Sequence, residues 1–192
     1  NSPKIPFDID LDIQDISDNF GKRLSKSPFL DTGILIGSSV YTYKSEPVKK
    51  DSITLREIIE PESVTPEFKI DNKERDKWKK LKDPISIDRV KDGFEYKYSM
   101  GRIGFDLLDR PSRTIVTGEG GKSPSRFKHI IEYKKGKYRR LTPVELEKLN
   151  GFPKDWTKLK GVTDTKRAFL MGNALVCGVV ELIGNSLFNI FK

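Results

Sequence analysis

Hydrophobic and polar positions change their period several times along this chain. Residues 33–44, GILIGSSVYTYK, are β-branched and aromatic around a Gly-Ser-Ser turn, which predicts a hairpin. Residues 54–60, TLREIIE, predict a short helix that Pro61 ends. From about Asp71 to Lys82, charges surround Trp78 and Leu81, which lie three apart on one helical face, and Pro84 closes the segment. Residues 93–105 alternate aromatic and polar side chains and predict a strand. Residues 112–121, SRTIVTGEGG, predict a β-branched strand opening into a glycine loop, and residues 125–141 predict two strands around Lys-Lys-Gly-Lys. From Thr142 the pattern becomes helical and apolar. The expected class is therefore α+β, with a β-rich part at 1–141 and a helical part at 142–192. The first 20 residues, with five aspartates against Lys4, predict an acidic, weakly structured lead-in.

Two helices carry more information than their period. Thr142-Pro143-Val144-Glu145 has the form of a capping box: the Thr142 hydroxyl accepts the Glu145 amide, and the Glu145 carboxylate reaches back to the Thr142 amide. Pro143 suits the first helical position, and Gly151 and Pro153 stop the helix. The box contributes about 1 kcal/mol to the helix start. Further on, residues 174–191 hold twelve apolar positions out of eighteen. A surface helix shows a cleaner polar face, so this one is expected to meet a missing partner, or to drive self-association when isolated.

Composition adds bounds. The chain has 192 residues, 35% hydrophobic and 33% charged, with Cys177 as its one cysteine. That excludes an internal disulfide framework and a cysteine-based zinc site, and no metal ligation is expected. No signal pattern opens the chain, and no apolar run is expected to approach the roughly 18 residues of a membrane span. A chain that begins at Asn1 rather than methionine is expected to be cut from something longer. The net charge is +8, and residues 110–140 hold ten Lys or Arg against only Glu119 and Glu132. The whole formal excess lies there, which favours a polyanionic partner. Within it, TGEGGKSPSRFKH offers Gly118, Gly120 and Gly121 for close backbone approach. Lys122, Arg126 and Lys128 suit phosphates, while Arg113, Arg126 and His129 suit base edges, with Ser125 among them. His129 lacks a Ser, Cys or metal set, so a packing or hydrogen-bonding role fits it better than general-base chemistry.

These motifs carry a resemblance. RRLTPVELEKLNGFP, residues 139–153, resembles the ninth motif of the cytosine-5 DNA methyltransferases, Arg-x-Leu-Thr-x-x-Glu-x-x-x-Leu-x-Gly-Phe-Pro. GNALVCGVVELIG resembles their tenth motif, with Leu175 where valine is usual, and RPSRTIVTGEGG resembles the end of their target-recognition region. SPFLDTGILIGSSVYT and DGFEYKY resemble a bacterial restriction-modification subgroup acting on GG...CC-type sites.

The resemblance implies the C-terminal part of a bacterial, cytoplasmic enzyme of a type II restriction-modification system. It implies a small β-rich DNA-recognition domain whose following helices normally pack on a Rossmann-like catalytic domain. The intact enzyme transfers methyl from S-adenosylmethionine to cytosine flipped from double-stranded DNA. Thr114 matches the recognition-region threonine. Arg139, Arg140, Thr142 and Glu145 match the brace between recognition region and catalytic domain, and Asn173 and Ala174 match positions lining the cofactor pocket. The family's Pro-Cys nucleophile, Glu-Asn-Val glutamate and Phe-x-Gly-x-Gly cofactor loop do not occur in these residues. Cys177 lies in an apolar helix, unlike a reactive thiol. The chain alone is therefore expected to be inactive, to bind S-adenosylmethionine weakly or not at all, and to need an N-terminal catalytic domain or subunit. The alternatives are a stand-alone basic nucleic-acid-binding module and a structural dimer.

Overall fold

The computed structural model describes residues 4–8, 30–37, 39–46, 51–60 and 64–190. Strands and helices both contribute, giving an α+β fold. The chain divides into two compact units, Asn1–Asp51 and Ser52–Lys192. The change of pattern at 141/142 falls inside the second.

The first unit is an antiparallel sheet of β1 (Lys4–Asp8), β2 (Thr32–Ile36) and β3 (Ser39–Tyr43), in the order β1-β3-β2. The β2–β3 hairpin is the one read from GILIGSSVYTYK. Val40 and Thr42, two apart on β3, are its buried pair. The lead-in expectation needs correcting over Lys4–Asp8, whose backbone pairs with β3. Its remaining residues lie outside the described ones.

The second unit opens with α1 (Leu55–Ile58), where Thr54 and Glu57 form a capping box. β4 (Lys69–Ile70) leads into α2 (Asn72–Leu81), capped by Asp71, whose carboxylate accepts the Glu74 amide at 2.6 Å. Trp78 is fully buried on α2, but Leu81 is 39% exposed, so the two do not share a buried face. β5 (Ile85–Lys91) and β6 (Phe94–Met100) form a separate hairpin with Asp92 and Gly93 at φ 53° and 78°, the conformation tight hairpin turns favour. β7 (Ile130–Lys134) and β8 (Lys137–Arg140) pair antiparallel, and β4 adds to β8. Residues 112–121 do not form the expected strand: only a 3₁₀ turn, Thr117–Glu119, is regular. The polar groups around Ser112 and Arg113 meet side chains instead of a neighbouring strand.

The core sits on both sides of β7. Its successive residues Ile130 and Ile131 are both fully buried and belong to different clusters, as strand alternation requires. Ile130 packs with Ile70 and Trp78. Ile131 packs with Leu55, Leu141, Leu146, Ala168 and Met171, which joins α1, α3 (Pro143–Leu149) and α4 (Asp164–Asn173).

The capping box read at Thr142 and Glu145 is present and entirely buried. Glu145 does more than cap. Its oxygens accept both terminal nitrogens of Arg139, at 2.8 and 2.6 Å, the Thr142 amide at 2.8 Å and the Glu60 amide at 2.7 Å. Thr142 in turn donates its hydroxyl to the Glu60 carboxylate at 2.9 Å. Gly151, at φ 81°, ends α3, and Phe152 returns its amide to the Glu147 carbonyl at 2.9 Å.

α5 (Cys177–Ile190) has no buried residue. Val179, Val180, Leu182, Ile183, Leu187, Phe188 and Ile190 are each 46–74% exposed. Within Asp164–Ile190, an 18-residue stretch is apolar enough to pass for a membrane span by length and composition, which corrects the expectation that no apolar run approaches that length. Residues 174–176 interrupt it, however, and α5 alone has 14 residues, against about 20 for a span. Its base is fixed: the Asn150 side chain donates to the Met171 carbonyl at 2.9 Å, and the Cys177 amide donates to the Asn150 carbonyl at 2.8 Å.

Removing one partner of a fully buried ion pair leaves the other charge uncompensated. Arg139→Ala is expected to lower unfolding free energy by about 3–5 kcal/mol, read from denaturant midpoints.

Candidate nucleic-acid interface

A loop without secondary structure must still satisfy its backbone carbonyls. Residues 120–129 have no strand partner, and long cationic side chains do the work. Lys128 donates to the carbonyls of Gly121 at 3.0 Å and Ser123 at 2.8 Å, tying the loop to itself. Arg140 donates to the Gly121 carbonyl at 2.8 Å and the Glu67 carbonyl at 2.6 Å, with its guanidinium over the Phe68 ring. Lys82 donates to the carbonyls of Arg126 at 3.0 Å and Lys128 at 2.7 Å. Arg126 donates to the carbonyls of Leu81, at 3.0 Å, and of Asp83 and Gly101.

The opposite side of the loop is held by carboxylates. Arg113 forms a two-point pair with Asp106, at 2.6 and 3.1 Å, and Asp106 also accepts the Ile130 amide at 2.9 Å. His129 is fully buried. Glu119 accepts its amide at 2.7 Å and meets its Nδ1 at 3.0 Å, while Nε2 lies 3.1 Å from the Ser112 hydroxyl. The 3₁₀ turn before the loop packs against α4 through two glycines. A Cβ on Gly120 would lie 2.7 Å from the Thr165 carbonyl oxygen, and one on Gly172 would lie 2.4 Å from the Thr117 nitrogen.

This changes the meaning of the basic stretch. Arg113, Arg126, Lys128, Arg139 and Arg140, half of the ten basic residues at 110–140, hold carbonyls or carboxylates of the chain itself. Arg126 and Lys128, expected at DNA, are buried and committed, and so is His129. Arg113 is partly exposed but engaged. Thr114 and Lys122 face solvent, and Ser125 is half-buried with its hydroxyl accepting the Phe127 amide at 3.4 Å. Phe127, which the sequence reading passed over, is 42% exposed on the same loop. The only sequence signal for it was an aromatic between two basic residues.

Arg139, Thr142 and Glu145 come together around Glu60, while Arg140 turns instead to the carbonyls of Gly121 and Glu67. A second polar knot lies behind α3. Glu147 is buried and accepts Arg167 at 3.0 Å together with the Thr157 amide and hydroxyl. Burial pushes the Glu147 pKa up, but the bonds from Thr157 and Arg167 outweigh it, leaving it below the ordinary value. Asn173 is exposed, with its amide donating to the Phe169 carbonyl at 2.9 Å, and Ala174 is half-buried. An exposed helix end of this kind does not by itself enclose a cofactor.

Burial pushes the Lys82 pKa down to about 8, with help from Arg113 and Arg126 and against Asp106 and Glu119. Burial and then Arg140 lower that of Lys128. The linkage for Lys82 has a definite sign. Between about pH 8 and the ordinary lysine value, the unfolded chain holds this proton and the folded chain does not, so stability attributable to Lys82 rises with pH. A neutral amine still donates to both carbonyls. The stability difference between wild type and Lys82→Met is therefore expected to widen between pH 8 and 10, read from urea midpoints.

A model of the C-5 cytosine-specific DNA methylases matches residues 6–189, and the chain belongs to that family. It is 41% identical over 178 residues to the type II methyltransferase M.Sau3AI of Staphylococcus aureus, covering 92% of this chain and 40% of that relative. The chain thus spans less than half the length of the relative it matches. No solved structure matches it.

Proposed function

We propose that this chain is the target-recognition region and C-terminal helices of a bacterial cytosine-5 DNA methyltransferase. Residues 1–141 would form the recognition region and 142–192 the helical segment with the ninth and tenth motifs. The loop at 117–129 supports this most directly. Its backbone is fixed by Lys82, Arg126, Lys128 and Arg140, leaving Lys122 and Phe127 facing outward, with Thr114 exposed just ahead of the loop. A preorganised loop places donors and an aromatic face against a duplex without ordering cost at binding. Buried Arg126, Lys128 and His129 act as positioning residues for that loop, and Gly120 and Gly121 carry its close approach.

The chemistry would belong to the portion outside these 192 residues. Cys177 is half-buried at the start of α5, which does not suit a nucleophile. S-adenosylmethionine would be held mainly by that same portion, with Asn173 and Ala174 at its edge. The bare face of α5 fits the seat of a catalytic domain or subunit in a bacterial cytoplasm.

Methyl transfer from labelled S-adenosylmethionine to duplex DNA tests this. Activity is expected when the chain is joined or mixed with the catalytic portion of its enzyme, and none from the 192 residues alone. Turnover by the isolated chain would refute the assignment, and duplex binding with no methylation in any combination would favour the stand-alone module. Separately, light scattering of the isolated chain at micromolar concentration is expected to show species larger than a monomer. Ile183→Glu with Leu187→Glu should return it to monomer mass.

A further inference from the structure

A second basic feature lies along α2. Arg75, Lys79 and Lys82 recur at helical spacing along α2 and its cap, so they share one face. With Arg102, Phe105 and Tyr138 they line a cleft of about 310 Å³ that no carboxylate lines. Like charges four apart on a helix repel, and nothing in the core requires them there. Trp78 meets the core from its own side of the helix. Phe105 and Tyr138, with ring centroids 5.2 Å apart, make a firm wall.

The cations are only loosely neutralised. Arg75 meets the neighbouring Asp76 at 3.0 Å, but that carboxylate is 73% exposed. Arg102 lies 3.7 Å from Asp83, and both are well exposed. Lys79 is exposed and has no partner among the described residues. Lys82 lends its stem to the cleft while its amine holds the loop.

We infer that this cleft seats a backbone phosphate of duplex DNA, through Arg75, Lys79 and Arg102, and so registers the loop on the duplex. The inference rests on the DNA-recognition reading above. It favours a duplex over a free anion because Arg126 latches the loop to the carbonyls of Leu81, Asp83 and Gly101, which flank cleft residues Lys82 and Arg102. A phosphate held there lies beside the loop's own anchor, and a duplex carries phosphates on either side of any base the loop approaches. Phosphate contacts position a protein without reading sequence.

Fluorescence anisotropy of the 192-residue chain with a 30-base-pair duplex, titrated over salt, tests the seat. Arg75→Gln with Lys79→Gln is expected to weaken binding to duplexes of unrelated sequence by the same factor. It should also flatten the slope of log affinity against log salt by about 2, near one unit per lost contact. Arg102→Gln should flatten it by about 1. Lys158→Gln with Lys160→Gln removes the same charge elsewhere on the surface and is expected to change the slope by less than half as much. Duplex binding with equal slopes in cleft and control variants would overturn the cleft while leaving the DNA reading intact. Absence of duplex binding by every form, at low salt, would overturn both. Inorganic phosphate or a mononucleotide competing at micromolar concentration would show a free-anion site and overturn the duplex assignment.

Discussion

The second unit depends on one buried carboxylate. Glu145 accepts from Arg139 twice, from its own helix start and from the amide of half-buried Glu60, and Arg139, Thr142 and Glu145 are themselves buried away from water. A buried charge is tolerable only when its pairing is complete. The requirement fixes the end of β8 against α3 and the segment after α1 against both. Strand alternation then sends Tyr138 and Arg139 to opposite faces, so the same strand supports the brace on one side and the cleft wall on the other. Arg140, next along, carries the constraint to the Gly121 carbonyl and the loop.

Charge in this protein therefore has two jobs that the count alone merges. One set of cations replaces the hydrogen bonds a strand partner would have given to the loop. Another set stands outward or in the α2 cleft. The distinction follows from reach. Arginine and lysine are long enough to bridge carbonyls from segments that are not neighbours, and a guanidinium can satisfy several at once. Arg126 does so for Leu81, Asp83 and Gly101, three carbonyls on two sides of the β5–β6 hairpin.

Much of the local structure was legible. The β2–β3 and β7–β8 hairpins, the start of α2 near Asp71 and the Thr142 box all follow from residues within a few positions of one another. β5 was missed although Asp92-Gly93 marks its turn, because Ile85–Lys91 has too few apolar residues to read as a strand alone. Residues 112–121 misled in the opposite direction: β-branched composition suits a strand, but no strand partner was supplied. The site was legible as a location and not as an orientation. Sequence places Arg126, Lys128 and His129 in a basic loop, yet whether a side chain turns in or out depends on acceptors 5 to 45 positions away. Glu60 and Lys82 gave no signal at all, since their partners lie 85 and 44 residues off.

The turn at Asn150 reaches further than its size suggests. Its side chain grips the last turn of α4 and its carbonyl the first amide of α5, while Gly151 leaves just enough room for Cys177. The bare helix thus leaves the body at an angle dictated by the end of α3. A catalytic domain seated on α5, as proposed, would inherit that angle as a lever arm. Any swing of that domain would load the Cys177–Asn150 bond and, through Asn150, the end of α3.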